Sequence, residues 1–138
     1  MATWLRDRLQ ATDCPIRVVV MHHPPETSES NYYPGYAVLQ WPFGDWGVDL
    51  IITGHSHIYE RINRSDGAIQ VTVGVGGHSV RSWVGSVVDG SQVQLNAYGA
   101  LKGVATGNVL TCQFLGSDGA IGHFHDIPGQ GFVGVLHR

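Results

Sequence analysis

Two short apolar runs, each ending on histidines, constrain this chain more than any other feature. "VVVMHHPPE" occupies Val18 to Glu26, and "DLIITGHSHIYER" occupies Asp49 to Arg61. Apolar, β-branched runs without polar alternation suit strands buried on both faces, as in a parallel sheet covered by other layers. The first strand is read over Ile16 to Met21. Pro24 and Pro25 stop it, because proline lacks an amide donor and fixes its own φ. The second is read over Asp49 to Thr53, with Gly54 letting the chain turn sharply as it leaves the strand. Between them "ETSESNYYPG" reads as a surface loop, and Tyr36 to Trp46 as a helix broken at Pro42 and Gly44. Strand, helix-like segment and strand predict a crossover with both strands parallel.

The flanking segments are simpler. Trp4, Leu5 and Leu9 give one apolar side to a short N-terminal helix, with Thr3 available as its cap. "AIQVTVGVGG" reads as a strand ending in glycines. Residues Ala100 to Ala105, Asn108 to Leu115 and Ala120 to Ile127 read as short strands separated by "TGN" and the turn "GSDG". Leu110, Cys112 and Phe114 alternate with Thr111 and Gln113, the pattern of a half-buried antiparallel strand. "SVRSWVGSVVDGSQ" is assigned no element. With 138 residues, no repeat and no convincing linker, a single domain over 1–138 is expected.

Composition narrows the function classes. Charged residues are 14% and the net charge is −3, so nothing favours nucleic acid or an anionic membrane. No apolar run reaches the roughly 20 residues of a membrane span, and "MATWLRDRLQ" has no signal-like apolar core. The compartment is not read. Cys14 and Cys112 lack CxxC spacing and read as small apolar side chains. "NRS" at Asn63 to Ser65 is a glycosylation triplet of a kind that arises by chance.

There are eight histidines, as many as Lys and Arg together. His22, His23, His55 and His57 all follow the carboxyl ends of strands, where open α/β sheets bind ligands. In a parallel pair those ends share one edge. A His-x-His spacing can aim two imidazoles at neighbouring ions, and neutral imidazole suits Zn, Mn or Fe better than Ca or Mg. His123 and His125 read as a solvated strand face and His137 as tail, while His78, after a glycine pair that permits close backbone approach, stays open.

"VVVMHHPP" and "GHSHIYER", with "WPFGDWGVDLIITG" between them, resemble the C-terminal half of the calcineurin-like metallophosphoesterases, and within them the purple acid phosphatase branch. "VGVGGHS" and "YGALKGVATGNVLTCQFLGSDGAIGHFHDI" are similar to that family's later segments, so the resemblance covers roughly residues 3 to 127. It implies an α/β fold (α+β by strict count): half of a two-sheet sandwich flanked by short helices, with antiparallel strands at the C-terminal end. It implies His22, His55 and His57 as metal ligands and His23 as a catalytic residue. The family's D-x-[GH], G-D-x-x-Y and G-N-H-[DE] blocks do not precede His22, so its bridging carboxylates are not supplied here. Asp45 and Asp49 are the candidates for a rebuilt carboxylate shell.

The implied reaction is phosphoester hydrolysis at a two-metal centre, weak or absent in these 138 residues alone. The alternative is a non-catalytic metal-binding or interaction module of the same fold. The expected partners are a phosphoester substrate and either the missing N-terminal half or a second copy covering the apolar face of Ile16–Val20 and Leu50–Ile52.

Overall fold

The computed structural model describes residues 1–83 and 85–117, and residues 121–128 and 132–136 as strand backbone. The single α-helix among them, α1 (Ala2–Gln10), buries Leu5 and Leu9, four residues apart and therefore on one face. Its N-cap is Met1, without a side-chain cap bond, so Thr3 lies inside the helix and caps nothing. No described helix is long and apolar enough to cross a membrane.

β1 (Ile16–Val20) and β2 (Leu50–Thr53) pair in parallel, with Val18 opposite Leu50 and Val20 opposite Ile52. The crossover between them differs from the sequence reading. It holds no α-helix, only a 3-10 turn at Ala37–Leu39. The chain there meets Pro34 and Pro42, and turns on Gly35 and Gly47, both at positive φ. β3 (Tyr59–Asn63) and β4 (Ile69–Val73) form an antiparallel pair, and β4 lies parallel to β2. β3 and β5 (Ser91–Leu95) escaped the sequence reading. Together with β9 (Phe132–Leu136), these strands make a six-stranded mixed sheet in the order β5-β3-β4-β2-β1-β9. β6 (Gly99–Thr106), β7 (Val109–Gly116) and β8 (Ile121–Pro128) form a three-stranded antiparallel sheet close to the predicted bounds. In β7, Leu110, Cys112 and Phe114 are buried and their neighbours are not, as the alternation requires.

The two sheets pack face to face. Ile16, Val18, Leu50, Tyr59 and Val71 meet Leu110, Cys112 and Phe114 in one core, with the Tyr59 and Phe114 rings 4.2 Å apart. On the opposite face Val19 and Ile51 pack against Leu5, Leu9, Phe43 and Val48. The architecture is therefore an α/β sandwich, as read from the sequence, with both layers supplied by this chain. The apolar face of Ile16–Val20 and Leu50–Ile52, from which a covering partner is expected, is largely covered within the chain: Ile16, Val18, Val19, Leu50 and Ile51 are at most 4% exposed, and Val20 and Ile52 are half-buried. β7 covers one side of these strands, and α1 and Phe43 cover the other.

A buried carboxylate ties the layers to the loops. Glu60 on β3 is fully buried and accepts from the Ser28 amide at 2.9 Å and from the Ser28 and Ser91 hydroxyls at 2.6 Å each. Those bonds meet the cost of burying the charge and fix the loop after His23 to β3 and β5.

Candidate metal centre

The parallel ladder continues one step past the strands. The Met21 amide donates to the Ile52 carbonyl and the Gly54 amide to the His22 carbonyl, both at 3.0 Å. His22 and Gly54 are thus held side by side at the carboxyl edge. The chain then turns at His55, not at Gly54: His55 is the one described non-glycine residue with positive φ, at 60°. A non-glycine residue in that region is strained, on the order of 1–3 kcal/mol. Gly54 does not absorb the turn, which corrects the sequence reading. Gly74 supports it from below, since a Cβ there would collide with the Ser56 carbonyl. Close approach is therefore made by Gly74, whereas Gly76 and Gly77, which could have permitted it, face open space.

Three imidazoles converge. His55 Nδ1 stands 3.1 Å from His22 Nε2. The His23 ring lies 4.3 Å from that of His55 and 5.0 Å from that of His22. One nitrogen from each of the three falls within 4.8 Å of the others. Metal–nitrogen bonds of roughly 2.0–2.1 Å put tetrahedral neighbours roughly 3.3–3.4 Å apart, so the His22–His55 pair already has ligand spacing. The donor set fits one transition-metal ion. Among the described residues no Asp or Glu joins it.

His57 stands apart from this trio. Its Nδ1 faces the Ser79 carbonyl at 3.2 Å, and its ring lies 4.2 Å from that of His78. A carbonyl can only accept, so the proton sits on Nδ1 and the Nε2 lone pair is left outward, the tautomer of a typical ligating histidine. Partial burial lowers the pKa of both His55 and His57. His23 and His22 add to the effect at His55, and Arg81 and His78 at His57. Lowered pKa values keep these rings neutral, the form that binds metal.

The sequence reading missed the aromatic wall. Tyr36 Oη is 2.8 Å from His55 Nε2, and the Tyr32 ring is 4.4 Å from the His55 ring. Arg81 lies over Tyr32 at 5.3 Å and pairs with the fully buried Glu29 at 3.5 Å. The available signal was the cluster of three tyrosines in "NYYPGY", read as the end of a surface loop and, at Tyr36, the start of a broken helix. The proposed carboxylate shell is not where the sequence put it. Asp49 sits at the amino end of β2, accepting from the Arg17 amide at 2.7 Å. Asp45 lines a cavity of about 500 Å³ with Gln40, Trp41 and Arg64. The side chains of His123, His125 and His137 lie outside the described residues.

Residues 2–59 match the family described as calcineurin-like phosphoesterase. Purple acid phosphatase 23 of Arabidopsis thaliana is 30% identical over 89 residues, which cover 54% of this chain and 19% of that protein. A purple acid phosphatase from yellow lupin (Lupinus luteus) seeds superposes with a TM-score of 0.78 at 21% identity, over 91% of this chain and 28% of that one. GAP50, the anchor in the inner membrane complex of Plasmodium, gives 0.77 at 24% identity, over 92% of this chain and 41% of that one. The two superpositions establish a shared fold. The chain spans about a fifth of the Arabidopsis relative's length.

Proposed function

We propose that this chain, similar to calcineurin-like phosphoesterases of the purple acid phosphatase branch, carries the histidine half of a metal-dependent phosphoester hydrolase. The observation that carries the reading is the 3.1 Å approach of His55 Nδ1 to His22 Nε2 at the carboxyl edge of two parallel strands. These two nitrogens hold an ion of the Zn, Mn or Fe type. A bound ion of that kind supplies a water acidic enough to yield hydroxide near neutral pH and a Lewis acid for phosphoryl oxygen. His57, its Nδ1 at the Ser79 carbonyl, would offer Nε2 to a second ion. His23 would be the third donor. In its protonated form, the His23 ring would be placed to give a proton to a leaving-group oxygen. Arg81 adds positive charge beside His57 that suits a phosphate anion.

The missing element is negative charge. Neutral imidazoles leave two dications uncompensated, so in this reading the bridging carboxylates come from chain outside these 138 residues. The second reading is a non-catalytic module of the same fold. It is favoured by the absence of any described carboxylate at the imidazole trio and by the similarity to a Plasmodium protein described as an anchor.

Zinc titration of the 138-residue chain by calorimetry, with turnover of an aryl phosphate measured alongside, tests the proposal. The expected result is one ion per chain and little turnover. His22→Ala should weaken binding by more than about 100-fold, beyond the 10–100-fold loss typical of an outer-shell partner. An added segment bearing the Asp and Asn blocks should then raise turnover by orders of magnitude. Zinc affinity unchanged by His22→Ala would rule the site out, and a complemented chain with no turnover would favour the second reading.

A further inference from the structure

His55 has two ring nitrogens, and each faces something different. Nδ1 faces His22 Nε2 at 3.1 Å, at ligand spacing, while Nε2 faces the Tyr36 hydroxyl at 2.8 Å. An imidazole that binds metal through Nδ1 must carry its proton on Nε2, and that proton needs an acceptor. A hydroxyl oxygen at 2.8 Å, off the far side of the ring, is such an acceptor.

Tyr36 is not there by accident of a floppy loop. Its amide donates to the Pro24 carbonyl at 3.2 Å, next to His23, and its own carbonyl accepts from the Leu39 amide at 2.8 Å. Gly35 before it has φ of 123°, and a Cβ there would collide with the Pro25 backbone. The ring packs edge-on to His23 at 4.7 Å and stacks on Tyr32 at 5.8 Å. Two backbone bonds, an obligatory glycine and two ring contacts therefore hold the hydroxyl at His55 Nε2.

We infer that Tyr36 is a positioning residue that accepts the His55 Nε2 proton, thereby fixing the tautomer and ring angle in which His55 ligates through Nδ1. This rests on the metal seat proposed above. It adds a role for the polar, aromatic loop between the two strands, which binds the site through its hydroxyl and not merely through its surface. It also accounts for the backbone strain at His55: a positive φ is retained there while Tyr36 and His22 hold the ring from both sides.

The test uses the full chain loaded with zinc, which is diamagnetic and silent in redox chemistry. Nitrogen-resolved NMR of the histidine rings should show His55 bound through Nδ1, with an Nε2 proton slow to exchange. Tyr36→Phe keeps the ring and removes only the oxygen. It should weaken zinc binding about 10–100-fold, speed exchange of that proton and leave the thermal melt unchanged. Zinc bound to His55 through Nε2 in the wild type overturns the inference without any variant. So does Tyr36→Phe with affinity within about twofold of wild type and an unchanged Nε2 proton. Failure of the wild type to bind zinc is a different result, because it removes the seat itself.

Discussion

β1 and β2 have two ends, and the chain uses them for opposite purposes. At the amino ends the backbone and side chains of Arg17 and Asp49 bind the scaffold. The Arg17 amide donates to Asp49 Oδ2, the Asp49 amide returns a bond to the Arg17 carbonyl at 3.0 Å, and the Arg17 guanidinium reaches the Thr12 and Gly47 carbonyls. At the carboxyl ends the polar groups face one another and solvent: His22 is exposed, and His23, His55 and His57 are half-buried. One end directs its polar groups into scaffold hydrogen bonds, and the other keeps nitrogen lone pairs in reserve. Identical strand pairing supports both, so position along a strand, more than residue type, separates structure from function here.

The largest test of that division lies beneath the amino ends. Phe43 is fully buried against Leu5, Leu9, Val19 and Ile51, with the Trp41 and Trp46 rings within 6 Å of it. Phe43→Ala should cost about 3–5 kcal/mol of unfolding free energy, measured by urea titration. The zinc affinity of the folded fraction should stay at the wild-type value. A variant that loses zinc while remaining folded would show that the two ends are coupled.

Asp49 gives the next largest effect. The sequence offers it as a carboxylate for the metal shell, and only the strand direction, with Asp49 first and His55 beyond the end, tells against this. Asp49→Ala leaves the Arg17 amide without its partner at a half-buried site and should cost about 1–3 kcal/mol. Zinc binding should not change. Tenfold weaker zinc binding in that variant would return Asp49 to the site and break the comparison.

The same two ends explain what could be read from the sequence and what could not. β1 and β2 were legible because unbroken apolar runs have few other homes, and β7 because Leu110, Cys112 and Phe114 alternate. β3 was not, because its buried set includes Glu60, a charge that becomes buriable only when Ser28 and Ser91 arrive from distant segments. The crossover was misread as helix because apolar Ala37 to Leu39 sit between prolines that allow only a single turn. At the site, the imidazoles that converge were legible from strand ends. Tyr36 and Arg81 were not, since they reach the histidines through loop conformations that leave no period in the sequence. Which histidines share a nitrogen-to-nitrogen contact also depends on the turn at His55, and "GHSH" alone gives no hint that the turn falls on the histidine.

The smallest expected effect distinguishes the ends by the sign of their pH dependence. Burial raises the Asp49 carboxyl above its ordinary value of 3.8, more than the Arg17 amide bond and charge lower it. The folded state then holds the proton to higher pH than the unfolded chain does, so stability declines as pH rises from about that value through the raised one. At the other end burial and neighbouring cations lower His55 and His57 below 6.5. There the unfolded chain takes up protons first, so stability is full above 6.5 and declines as pH falls through the lowered values. Metal-free urea titrations from pH 4 to 8 should therefore show a shallow minimum of stability between the two windows. His55→Gln with His57→Gln should flatten the neutral-side slope alone. Asp49→Ala should reduce the acid-side slope alone, and Glu26, also raised by burial, should keep part of it. Slopes that shift together in either variant would mean that the two ends of these strands titrate as one unit.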